Sequence, residues 1–324
     1  TKLARSEFLD EAYGAIASGS EKVGAFMQAS YPENPLYPEF CKMLSRTLSA
    51  AERRRVFCNI ERSRWRHGDY PQLHDKYVLV NVPTQQLEAV EKNDRITMRI
   101  ALGSMETKTP LLNGRIKRID FNPQWIIPKS IIKTSVRHHA GDVGYFERHS
   151  YFVRERKSGK IISPAFVTAD MMMSHDYHVV QRGGKGNALG RIIFRFDNDY
   201  SIYLHDTSSP SVFANRNRIV SHGCIRVERP YDLAVFMLAD KDERVMEKMK
   251  YTIAADLSNE GAETDERPVI DKSKLLHSLG VKPTVPLFIT YYTLYPNADG
   301  VMTGYDDIYG FDPVIYAKIQ NFIK

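Results

Sequence analysis

Cysteine is scarce: the 324 residues hold three, Cys41, Cys58 and Cys224. A fold stapled by disulfides is thereby excluded, and the odd count leaves at least one thiol unpaired within the chain. No apolar run approaches the ~20 residues that span a bilayer as a helix, so no transmembrane segment is expected within this sequence. Internal repeats and low-complexity tracts are missing too, which excludes solenoids and biased disordered arrays. No single sign of charge dominates. Lys and Arg number 45 against 39 Asp and Glu, a formal +6, and the basic residues are scattered apart from short clusters such as Arg53-Arg54-Arg55 and Arg62-Ser63-Arg64. That balance suits an anionic partner, with no nucleic acid expected, and solvated helix faces account for most of it. The opening residues carry no secretory signal and Thr1 is not an initiator methionine, so a signal or anchor is expected to lie outside this sequence.

What is present suits a folded protein: 43% of residues are hydrophobic and 26% charged. Residues 1–70 read as helical. Phe8, Ala12 and Ile16, then Val23, Phe26 and Met27, recur at helical spacing. Tyr31-Pro32-Glu33-Asn34-Pro35 breaks the pattern, and one helix is expected from 38 to 64 with Phe40, Leu44, Leu48 and Val56 inward. The period changes near Tyr77. Short β-branched runs at 77–82, 96–102, 116–121, 191–196 and 200–205 predict strands, the last two joined by Asp197-Asn198-Asp199 as a tight hairpin turn. A helix is expected at 230–239, an exposed acidic loop at 256–274, a strand at 286–294 and a turn at Asn297-Ala298-Asp299-Gly300. Between about 125 and 185 the periodicity is weak, which suggests a lid or binding loop. The expected fold class is α+β, with a helical N-terminal scaffold (1–70) followed by a mainly β domain (71–324).

One segment concentrates reactive groups: Tyr203-Leu204-His205-Asp206, then Ser221-His222-Gly223-Cys224-Ile225-Arg226. Cysteine attacks as thiolate, and a nearby histidine takes its proton. A low-pKa Cys224 would react fast near neutral pH. Gly223 allows close backbone approach, and amides around Gly223 and Cys224 would face a developing oxyanion. His205, at the end of a predicted strand, is better placed as base than His222, which stays the alternative because an i, i+2 pair has little freedom to align. Alternation puts Tyr203 on the face of His205, where its hydroxyl would help bind the substrate carbonyl.

The Ser-His-Gly-Cys run with a distant upstream His resembles the signature of YkuD-type L,D-transpeptidases. Further segments resemble the larger periplasmic branch typified by YcbB: Asn187-Ala188-Leu189-Gly190-Arg191, Thr109-Pro110, Asn122-Pro123-Gln124-Trp125, Asn59-Ile60-Glu61-Arg62 and Asp307-Ile308-Tyr309-Gly310-Phe311-Asp312. The resemblance covers roughly residues 55–324. It implies a YkuD-type catalytic domain whose stretch at about 125–185 is a capping, or lid, insertion. It implies Cys224 as acylated nucleophile, His205 as base oriented by the backbone carbonyl of Asp206, and an oxyanion site at Gly223, Cys224 and Tyr203. Ser221 and His222 would shape the pocket, and Arg226 would contact a substrate carboxylate. The implied reaction cleaves the bond between stem residues three and four of peptidoglycan, releases D-Ala and forms a 3→3 cross-link through a thioester, in the periplasm or cell envelope. The implied partners are stem peptides and, as covalent inhibitors, carbapenems, with no cofactor and no metal.

Other readings are weaker. His138, His139, His149, His175 and His178 lack zinc-site spacing. Gly183-Gly184-Lys185-Gly186 lacks a phosphate-loop ending and reads as a flexible loop. Met171–Met173 reads as lid packing. Cys41 and Cys58 read as buried thiols, with a disulfide between them open. The alternatives kept beside the transferase are a hydrolytic L,D-carboxypeptidase and a peptidoglycan-binding module with idle machinery.

Overall fold

The computed structural model describes residues 5–29, 31–65, 68–240, 242–255, 257 and 270–323. The acidic loop expected over 256–274 lies outside these, apart from 257 and 270–274. Four helices come first: α1 (Arg5–Ala17), α2 (Ser20–Ala29), α3 (Leu36–Met43) and α4 (Ala50–Ser63). The single helix expected over 38–64 is two. Ser49 starts α4 with a capping box, its hydroxyl accepting from the Glu52 amide at 3.3 Å while Glu52 accepts from the Ser49 amide at 2.8 Å.

Strands β1 (Lys76–Asn81), β2 (Gln86–Glu91), β3 (Asp94–Gly103) and β4 (Leu112–Phe121) follow. Next come β5 (Trp125–Ile126), α5 (Lys129–Thr134), α6 (Val143–Arg148), β6 (Tyr151–Glu155), β7 (Ile161–Ile162), α7 (Ala169–Met173) and β8 (Tyr177–Gln181). The chain continues through β9 (Ile192–Phe196), β10 (Leu204–His205), β11 (Ile219–Ser221), β12 (Ile225–Val227), α8 (Pro230–Met237), α9 (Glu243–Ala254) and β13 (Ser278–Thr290). It ends with β14 (Leu294–Pro296), β15 (Met302–Gly304) and α10 (Phe311–Ile319). The fold class is the expected one, helices first and then a β-rich domain.

Two compact units result. One unites residues 1–73 with 292–324, and the other holds 74–291. In the first, Phe40 and Val56 pack with Tyr292 and Leu294. Asn59 donates to the Thr293 hydroxyl at 2.9 Å, and buried Arg62 pairs with Asp312 at 2.6 Å. All three cysteines are free, so Cys41 and Cys58 form no disulfide. Cys58 is buried and donates to the Asp312 carbonyl, and burial pushes its thiol up to about 12.

The second unit is built on a nine-stranded sheet ordered β11-β3-β12-β10-β9-β4-β13-β1-β2, in which β2 also pairs with β3. That extra pairing closes all strands but β11 into a ring, so no edge is left along it. Val80, Leu87, Ile100, Ile116, Phe194, Leu204, Ile225 and Leu287 are fully buried within it, each contributing about 1.5–3 kcal/mol of burial. The expected tight turn between β9 and β10 is instead a loop folded around one side chain. Asn198 Oδ1 accepts from the Tyr200 and Ile202 amides, and its Nδ2 donates to the Phe196 and Ile202 carbonyls.

The weakly periodic stretch is not structureless. It forms its own sheet, ordered β5-β8-β6-β7, over a core of Ile127, Ile132, Val136, Phe146, Val153, Val167, Met172 and Val179. Its strands and helices are too short to show a period. Lys129 ties it together by donating to the Met172, Ser174 and Tyr177 carbonyls at 2.6–3.1 Å. The loop expected to be flexible is pinned: a Cβ on Gly183 would lie 2.1 Å from the Asn122 carbonyl oxygen, and Gln181 donates to the Gly186 carbonyl at 3.2 Å.

Candidate active site

β10 and β12 run parallel, with Leu204 opposite Ile225 and His205 opposite Arg226. Leu204 and Ile225 are fully buried. Alternation turns Tyr203, His205, Cys224 and Arg226 to the opposite face, so two neighbouring strands bring a thiol, an imidazole and a guanidinium together.

His205 is 4% exposed, and its Nδ1 lies 2.5 Å from the Asp206 backbone carbonyl. A carbonyl only accepts, so Nδ1 carries the proton and Nε2 presents a lone pair. Burial drives the His205 pKa down to about 4. Backbone hydrogen bonds to Asp206 and Leu189 oppose that shift and the Arg226 charge adds to it. Burial raises the Cys224 thiol, against a backbone hydrogen bond from Tyr203 and the Arg226 charge. At rest the thiol is protonated and the imidazole neutral, because burial penalises both charged forms.

His222, the alternative base, is exposed. The Asp206 carboxylate is engaged elsewhere, accepting from the amides of Arg191 and Thr207, each at 2.7 Å, and burial raises its pKa. Gly190 makes this possible. Its φ is +65°, and a Cβ there would lie 2.4 Å from the Asp206 side chain. Asn187 fixes the same loop, donating to the Pro123 and Arg182 carbonyls and accepting from the Leu189 amide.

The turn carrying Cys224 is stapled by Ser221, whose hydroxyl donates to the Cys224 carbonyl at 2.6 Å and accepts from the Gly223 amide at 3.1 Å. The Gly223 amide is thus occupied, whereas among the described residues nothing accepts from the Cys224 amide. Gly223 has φ +109°, a conformation that favours glycine. Thr107 and Thr109 brace this turn from outside the motif, donating to the Ser221 carbonyl at 2.9 Å and the Gly223 carbonyl at 3.0 Å. Thr107 escaped the sequence reading, and Thr109 and Gly190 entered it without a role. The only sequence signal for the braces is a hydroxyl-rich loop following a strand. Arg226 Nε is buried without a hydrogen-bond partner, and its charge acts on both Cys224 and His205. Tyr203 lies with its ring under the Arg195 guanidinium at 5.0 Å. Among the described residues no cluster of three or more His, Cys, Asp or Glu is arranged to hold a metal ion.

Residues 75–250, more than half of the chain, match the family model of the YkuD L,D-transpeptidase catalytic domain. A Haemophilus influenzae protein assigned by inference as an L,D-transpeptidase is 25% identical over 289 residues, which are 89% of this chain and 55% of that protein. The chain therefore spans about half the length of the curated relative it matches. Among solved structures, an L,D-transpeptidase from Mycobacterium smegmatis is 12% identical, with 50% of this chain and 53% of that one covered and a TM-score of 0.28. L,D-transpeptidase 3 from Mycobacterium tuberculosis, in complex with a faropenem-derived adduct, is 10% identical, with 67% and 60% covered and a TM-score of 0.30.

Proposed function

The chain belongs to the YkuD L,D-transpeptidase family, and on that footing we propose that it cross-links peptidoglycan stems 3→3 through a thioester on Cys224. The observation that carries the reading is His205, its Nδ1 held by the Asp206 carbonyl and its ring on the face it shares with Cys224. As Sγ attacks the carbonyl of the third stem residue, Nε2 takes the thiol proton. The Cys224 amide, with Tyr203 beside it, faces the oxyanion. An imidazole with a pKa of about 4 holds that proton weakly, so it passes to the departing D-Ala amine. The amine of a second stem then attacks the thioester and frees the thiol. Ser221 and Gly223 hold the turn, Arg226 steadies the thiolate, and His222 sits at the exposed rim. The insertion around 125–185 caps the cleft and limits water. The setting is the periplasm or cell envelope of a bacterium, the branch is the larger YcbB-like one, and carbapenems are captured by the same thiol.

Intact-protein mass spectrometry after incubation with a carbapenem tests this. One adduct is expected, absent from Cys224→Ala. An adduct that persists in that variant, or none on folded, reduced wild type, rejects the nucleophile. Products from a tetrapeptide with an acceptor amine then separate cross-linking from hydrolysis.

A further inference from the structure

A cleft of about 500 Å³ opens beside Tyr203, walled by β4, β9 and the 197–203 loop. Its position follows from register. Arg118 on β4 lies opposite Arg195 on β9. Leu204 lies opposite both Phe194 and Ile225, so one step back Tyr203 lies opposite both Arg195 and Cys224. Cys224, Tyr203, Arg195 and Arg118 therefore form one row across four strands on one face of the sheet. With strands spaced ~4.8 Å, Arg195 stands roughly 10 Å from the Cys224 backbone, the distance of a few peptide atoms from the reacting carbonyl.

Arg195 is held for binding. Its Nε donates to Asp120, which also takes the Nε of Arg118 at 2.7 Å, so one carboxylate anchors two guanidiniums. Its plane rests over the Tyr203 ring. Among the described residues no acceptor engages its terminal nitrogens. Lys117 is paired with Asp197 at the outer wall. Asp199, exposed and without an ion pair among the described residues, gives the cleft a site for an ammonium as well.

We propose that this cleft recognises a carboxylate on the peptide that acylates Cys224, with Arg195 as the binding group and Asp199 suited to a residue end that carries an ammonium beside it. This rests on the stem-peptide reading above. Amino acids bearing both charges, such as the diamino acid at stem position three, match it.

The test compares a tetrapeptide stem with its counterpart in which the carboxylates are amidated, on wild type, Arg195→Gln and Arg195→Lys. Charge-assisted hydrogen bonds predict that Arg195→Gln raises KM for the free-acid peptide by about tenfold or more, with kcat little changed and the amidated peptide unaffected. Arg195→Lys should restore part of the preference, which a merely misfolded variant would not. Equal effects on both peptides, or none, overturn the subsite while leaving the reaction intact. Binding of the two peptides to Cys224→Ala separates the two readings. Arg195-dependent affinity for the free acid without acylation of wild type keeps the subsite and rejects the transpeptidase reading. Neither acylation nor Arg195-dependent affinity rejects both.

Discussion

Arg226 acts on the two reacting groups in opposite senses. Its charge favours the Cys224 thiolate and disfavours protonated His205. Removing it with Arg226→Gln should move the alkylation midpoint of Cys224 to higher pH and let His205 titrate closer to its ordinary range. The rate of iodoacetamide labelling against pH checks the first, and the imidazole NMR shift the second. An unmoved labelling midpoint would mean that the guanidinium does not tune the thiol. At this scale much was legible. Cys224, His205, Tyr203 and Arg226 fall on one face because strand alternation requires it. The burial that sets both pKa values was not legible, since it depends on strands distant in sequence. Nor was the occupation of the Gly223 amide, which needs the Ser221 rotamer. Gly190 matters through a contact with Asp206 across the fold, and nothing in its neighbours signals that.

Elements were legible where they are long and periodic. β1, β3 and β4 overlap the β-branched runs at 77–82, 96–102 and 116–121, and α8 buries Leu233, Phe236 and Met237 as its spacing implied. The misses have local causes. Ser49 splits a helix that apolar spacing alone would run through, and Asn198 replaces a tight turn with its own side-chain hydrogen bonds. The small sheet within 125–185 hid because none of its elements exceeds six residues. Its core is nonetheless a dense one, so Phe146→Ala should cost about 3–5 kcal/mol there. Hydrogen exchange checks this: amides of β6 and β8 should lose protection before those of β1 and β13. Uniform loss across both sheets would show that the insertion has no separate stability.

For the whole molecule, charge is unevenly shared. Residues 122–190 hold ten Lys and Arg against five Asp and Glu, nearly all of the formal +6. The excess there comes from sparse acidic residues, five of the 39, while the basic residues stay as scattered as the sequence shows them. Binding to sacculi, whose stem carboxylates are anionic, should therefore weaken as salt rises and the Debye length falls from about 30 Å to about 8 Å. Co-sedimentation of Cys224→Ala with sacculi across that range measures it, and Arg156→Glu with Lys157→Glu should flatten the dependence. Salt-independent binding would assign retention to non-electrostatic contacts.

The unit formed by residues 1–73 with 292–324 carries a consequence for the order of synthesis. Helices α3 and α4 are made well before the residues that cover them: Phe40 and Val56 pack with Tyr292 and Leu294, and Arg62 pairs with Asp312. Until more than two hundred further residues have been made, the apolar face of those helices lacks its cover and Arg62 lacks Asp312. Their cover comes from the far end of the chain, and a product ending near residue 291 would hold the residues of the β-rich unit but not those that cover α3 and α4.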